Sequence, residues 1–170
     1  MRYGARVISG RPVCVLAVTA TIAVAGCGSG KSSSSISRVD FKTGFAANHK
    51  EFSALATAIA KDLTGAGSKT DAQLATEFDG LASRADQQAS QLADLTAPSK
   101  YAKRVGTLVI GFHALKADLS TISTAATKHN AQSAETATRT LLTDAAKIKT
   151  ADISLSKDLG LVKVQKKSQS

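Results

Sequence analysis

From residue 41 onward, apolar side chains return every three or four positions in four separate stretches of the chain. The first runs Phe41, Phe45, Asn48, Phe52, Leu55, Ile59, Leu63, and the second Leu74, Phe78, Leu81, Ala85, Gln88, Leu92, Leu95. The third is the most regular: Tyr101, Val105, Leu108, Phe112, Leu115, Leu119, Ile122, Ala126. The fourth reads Ala134, Thr138, Leu141, Ala145, Ile148, Asp152, Leu155, Leu159. Alternating steps of three and four keep a side chain on one face of a 3.6-residue turn, so each stretch predicts an amphipathic helix. All five phenylalanines of the chain fall on these seams.

The interruptions carry turn and cap chemistry. Gly65-Ala66-Gly67-Ser68 closes the first stretch, and Thr70 with Gln73 forms a capping box for the second. Thr96-Ala97-Pro98 turns the chain into the third, with proline expected in the first turn. His129-Asn130 separates the last two, and Asn130 is a good N-cap. Connections this short favour antiparallel neighbours. The predicted fold is therefore all-α, an up-down-up-down four-helix bundle spanning 38–162.

Antiparallel register stacks the seams into layers. Phe41, Leu95, Tyr101 and Leu159 share one end of the predicted bundle, and Phe52, Ala85, Phe112 and Ile148 lie further in. Between them falls a layer of Asn48, Gln88, Leu108 and Asp152, in which polar residues from three helices coincide. Two roles fit it. As a register device, Asn48 and Gln88 would bond each other and Asp152 an amide or water, since an unpaired buried polar group costs about 1–3 kcal/mol. As a pocket, the three would orient the head of an apolar ligand. Burial would make Asp152 hold its proton more strongly.

Composition supports helix over sheet: two prolines, no tryptophan, and abundant alanine, leucine and lysine. The formal net charge is +9, with Arg2, Arg6 and Arg11 contributing three of the positive charges. Register gathers other basic residues at one end of the bundle. Lys100, Lys103, Arg104, Lys163, Lys166 and Lys167 are candidate contacts to anionic lipid or an acidic wall polymer. The stretch 163–170 is expected to be a basic, disordered tail. A stripe of Gly106, Ile110, His113 and Ala117 opposes the third seam, and Gly106 with Gly111 would allow close approach of another chain.

The N-terminus is read separately. Three arginines precede an apolar run from Val13 to Ala25, too short for a membrane span of about 20 residues. The run ends in Val24-Ala25-Gly26-Cys27. These four residues, in that setting, resemble the lipobox of bacterial lipoproteins. The resemblance implies a cleaved signal peptide over 1–26 and a diacylglycerol thioether on Cys27. The chain would then sit on the extracytoplasmic face of the cell membrane. Residues 27–37, with Gly28-Ser29-Gly30 and Ser32 to Ser35, read as a lipidated cysteine and flexible tether. Gly28-Ser29-Gly30-Lys31-Ser32 imitates the end of a phosphate-binding loop, but Ala25 stands where that loop needs its first glycine. Cys14 would leave with the signal peptide, so no disulfide is expected.

Chemistry-bearing constellations are sparse. His49, His113 and His129 show no ligand spacing, and no nucleophile or metal motif appears; no catalytic residue, metal or cofactor is assigned. Acidic residues such as Asp118 and Asp144 read as solvated helix faces. Export and the lack of an aromatic stacking platform argue against nucleic acid. The sequence resembles small helical lipoproteins of high-GC Gram-positive bacteria that have no assigned activity. It predicts a non-enzymatic interaction or accessory module of the cell envelope, acting on an unidentified envelope protein. The alternative is a carrier holding a lipid or other apolar small molecule in the bundle core.

Overall fold

The structure is a computed structural model that describes residues 38–162. It is an all-α four-helix bundle: α1 (Arg38–Gly65), α2 (Asp71–Asp94), α3 (Ser99–Thr127) and α4 (Ala131–Asp158), with a 3-10 turn at Ala66–Ser68. The predicted leader, Cys27, the tether and the tail at 163–170 lie outside the described residues.

The helices begin and end where local chemistry directs. Thr70 caps α2: its Oγ1 accepts from the Gln73 amide while Gln73 returns a bond to the Thr70 N–H, 2.9 Å. Asn130 caps α4 by accepting from the Ser133 amide at 3.0 Å. Pro98 sits one place earlier than the sequence suggests, as the N-cap of α3 rather than within its first turn. There its missing N–H costs nothing, and its carbonyl accepts from Tyr101 and Ala102. Both α3 and α4 close on a left-handed residue. His129 (φ 51) and Gly160 (φ 67) each donate three residues back, and the next residue donates five back. This satisfies carbonyls that would otherwise be orphaned at the helix end. At Gly160 the left-handed turn is free of steric penalty; at His129 the side chain also pairs with Asp71 on α2.

Every residue of the third seam is buried, as are all five phenylalanines. Phe41 stacks on Tyr101 with centroids 5.6 Å apart, and Phe52 meets Phe112 edge-on at 5.3 Å. These two contacts join the layers that antiparallel register predicts. α3 is long and apolar enough to cross a membrane by composition alone, but its apolar seam is the centre of the bundle core.

Packing is uneven around the bundle. α3 lies closely along both α2 and α4, whereas α1 touches α2 less and α4 least. The side chains explain this. α2 presents Ala82, Ala85 and Ala89 to the core, all essentially inaccessible, and small residues let backbones approach. α1 presents Phe41, Phe45 and Phe52, whose rings reach across the core and hold its backbone further out.

At Gly111 α3 and α4 come close: a Cβ built there would lie 2.7 Å from Ile148 Cγ1. Its small size therefore serves the internal α3–α4 contact, not the approach of another chain. Gly106 faces open space. The two glycines should respond oppositely to alanine. Gly106→Ala is expected to raise unfolding stability in urea by about 1 kcal/mol through helix propensity. Gly111→Ala is expected to lower it by about 1–3 kcal/mol through overpacking. Equal stabilisation by both would contradict the close approach.

Candidate functional site

The polar layer is where the core departs from an apolar filling. Asn48, Gln88 and Asp152 are 8%, 6% and 5% exposed. They do not form one network. α1 separates the layer into two arrangements, one on its α4 side and one on its α2 side.

On the α4 side, His49 Nδ1 donates to Asp152 Oδ2 at 2.6 Å. Ser156, one turn further along α4 and fully buried, places its Oγ 3.4 Å from the same nitrogen. The antiparallel layer that sets Asn48 opposite Asp152 necessarily sets His49 beside it. Burial pushes the Asp152 carboxyl above its ordinary 3.8, and the hydrogen bond and charge of His49 pull it partly back. Asp, His and Ser together suggest nucleophilic catalysis, but the geometry does not provide it. A relay needs serine and aspartate on opposite ring nitrogens. Here both sit at Nδ1, and the hydroxyl is out of reach of any substrate. The cluster instead ties α1 to α4.

On the α2 side, the expected Asn48–Gln88 bond is not made. Asn48 Nδ2 donates to the Gly44 carbonyl at 3.2 Å, and Gln88 Nε2 donates to Gln91 Oε1 at 3.0 Å. Each amide thus serves its own helix. Asn48 Oδ1 and Gln88 Oε1 are buried with no hydrogen-bond partner in the protein. Both residues line an open groove of about 650 Å³ between α1 and α2. Glu51 on α1 and Arg84, Gln87, Gln91 and Asp94 on α2 place amide and charged groups along it, beside the apolar Ala47, Leu55 and Leu95; Asp152 does not reach it.

The remaining predicted residues are dispersed. Lys100 lies exposed, its Nζ 4.7 Å from the Tyr101 ring centroid; Lys103 is exposed; Arg104 is paired with Asp158. Lys163, Lys166 and Lys167 lie outside the described residues. Ile110 is exposed, as the outer stripe predicts. His113 lies 3.5 Å from Asp86, which Lys116 also reaches at 3.0 Å. Among the described residues no cluster of histidine, cysteine and carboxylates suited to a metal occurs.

Asp118 corrects the sequence reading. It is half-buried rather than solvated, and its Oδ2 has no hydrogen-bond partner in the protein. Burial raises its carboxyl above the ordinary value, with the neighbouring Asp144 charge adding and Lys147 opposing. Side-chain alternation marks α3 as a core helix but does not reveal that α4 overhangs this outer position.

No protein-family model, curated protein or solved structure matches the chain.

The His49–Asp152 pair makes a pH-dependent prediction. In the folded chain Asp152 takes up its proton at higher pH than in the unfolded chain. Its contribution to stability therefore falls as pH rises from about 4 through the folded value. Above its folded value the carboxylate is charged and depends on His49; near pH 4 more of it carries its proton. His49→Ala should cost about 1–3 kcal/mol near pH 7 and less near pH 4, read from urea unfolding at both. The same loss at both pH values would mean that the pair carries no electrostatic support.

Proposed function

We propose that the chain is a lipid-anchored, extracytoplasmic binding module of the cell envelope, non-enzymatic, with the α1–α2 groove as its recognition surface. The observation that supports this is the groove itself. Asn48 and Gln88 line it, and their side-chain oxygens are buried without partners in the protein. Buried acceptors left unpaired cost about 1–3 kcal/mol each, so this stretch of α1 and α2 is not built for stability alone. The lipobox-like Val24-Ala25-Gly26-Cys27 supports the anchor and the location.

The carrier of an apolar ligand is less well supported. The α1–α2 groove is open to solvent, while the apolar seams fill most of the space between the helices with their own side chains. One feature favours the carrier: a cleft of about 320 Å³ at the far end of the bundle, lined by Leu74, Ile122, Ala125 and Ala134. It lies at the small end of the range for ligand pockets and away from the polar layer.

Two measurements test the proposal. Expressed in a bacterial envelope, the chain should fractionate with membranes and carry a diacylglycerol mass, and Cys27→Ser should release it. Membrane release without any change of mass would remove the anchor. The Cys27→Ser chain should then give a bare protein mass in native mass spectrometry. A co-purifying lipid mass that disappears on denaturation would replace the groove-binding module with the carrier.

A further inference from the structure

Resting on the lipid-anchored reading above, we infer that the end of the bundle where α1 begins docks on the bilayer surface. Its basic residues would meet anionic lipid headgroups, and two exposed valines the apolar boundary beneath them. Contacts between the helices gather the residues concerned. Phe41 near the start of α1 stacks on Tyr101 near the start of α3. A Cβ on Gly44 of α1 would press on Leu95, just past α2, and one on Gly160, just past α4, would lie 3.9 Å from Lys42 Nζ. Arg104 of α3 pairs with Asp158 of α4. The start of α1, the connection from α2 to α3 and the end of α4 therefore form one surface.

Charge is unevenly spread along the bundle. Arg38, Lys42, Lys100, Lys103, Arg104 and Lys157 belong to this end. Against them stand Asp40, Asp94 and Asp158, which leaves a formal charge of +3. Residues 38–162 hold 15 basic and 13 acidic residues, so the rest of the bundle carries −1. No acidic residue occurs from Leu95 to Ala117 or after Asp158. Lys163, Lys166 and Lys167 follow Val162 and add three positive charges to the sequence that leaves this end. Lys100, Lys103 and Lys157 are exposed, as attraction to an anionic surface requires.

Charge alone would suit any polyanion; the valines specify a bilayer. Val39 in the first turn of α1 is 70% exposed, and Val162 beyond α4 is 37% exposed. An apolar side chain flanked by lysines gains by entering the boundary between headgroups and acyl chains, while the ammonium groups stay among the headgroups. A soluble polymer offers the valines no such boundary. Connectivity agrees. α1 starts eleven residues after Cys27, a span of at most about 40 Å. The opposite end of the bundle lies about 42 Å further, along the 28 residues of α1. An anchor at Cys27 therefore keeps the basic end at the membrane, where docking is intramolecular and weak headgroup contacts suffice.

The experiment is co-sedimentation of the processed polypeptide, residues 27–170 with Cys27→Ser, which carries no lipid of its own. Phosphatidylcholine vesicles containing phosphatidylglycerol should bring it down at low salt and release it at high salt, and phosphatidylcholine alone should leave it in solution. Lys100→Gln, Lys103→Gln and Lys157→Gln together should weaken this binding by about a hundredfold, which is roughly fivefold per basic residue. Lys61→Gln, Lys128→Gln and Lys149→Gln remove the same charge elsewhere and should change it by less than about threefold. Val39→Ser with Val162→Ser should weaken it by about tenfold. All these positions are exposed, so circular dichroism should show every variant folded. No binding to the anionic vesicles, or equal losses in the two triple variants, overturns the docking end. If soluble polyglutamate binds as tightly as the vesicles and the valine variant loses nothing, the occupant is a polymer and the bilayer assignment falls. The mass of Cys27 reads the anchor separately. A missing diacylglycerol removes the anchor, whereas a lipidated chain whose Cys27→Ser form ignores anionic vesicles removes only the docking.

Discussion

A carboxylate buried in the seam of α4 needs a partner, and α1 supplies it. Desolvation raises the Asp152 carboxyl, and only the adjacent imidazole of His49 offsets the effect. An ion pair of this kind adds little net stability, because desolvation consumes much of the attraction. Its consequence is geometric. With His49 held against Asp152, α1 has a fixed rotation and register. Asn48 then faces α2, and the phenylalanines of α1 point to Tyr101 and Phe112. Apolar contacts alone would tolerate a shift of one helical turn; a stranded Asp152 would not.

The groove follows from the same arrangement together with side-chain size. α3 approaches α2 closely beside Ala82, Ala85 and Ala89, and α4 at Gly111. α1 packs through rings that reach across the core, and apolar and polar side chains together line the space between it and α2. At its near end the groove is narrow: a Cβ on Gly44 would lie 2.6 Å from Leu95 Cδ2. Further along, Asn48 and Gln88 line it, and their buried amide oxygens have no protein partners. A bundle built for stability alone would place leucine at Asn48 and Gln88.

Much of the architecture was legible from periodicity. The third seam is buried from Tyr101 to Ala126, the Thr70–Gln73 box and the Asn130 cap form as their residues dictate, and the aromatic layers meet. The coincidence of Asn48, Gln88 and Asp152 at one level of the core was also readable, because short loops leave antiparallel register little freedom. Their partners were not readable. Layer reasoning treats the four helices as equally spaced, which predicts an Asn48–Gln88 bond; the two amides bond within their own helices instead. His49 was passed over because it lies one position off the seam, yet the neighbour of a polar seam residue is where a buried carboxylate finds help. Gly111 looked like an outer-face feature because a single helix gives no sign that α4 crosses so near. Asp118 escaped for the same reason.

α3 holds α2 and α4 closely, and α1 is set against them across a polar layer. Native-state hydrogen exchange resolved by residue tests this most directly, since it reports the opening free energy of each helix separately. Amides of α1 between Asn48 and Ile59 should exchange faster than those of α3 between Val105 and Ile122, with α3 protected to the level of global unfolding. Equal protection of α1 and α3 would mean that the four helices form one uniform core, and the groove would lose its physical basis.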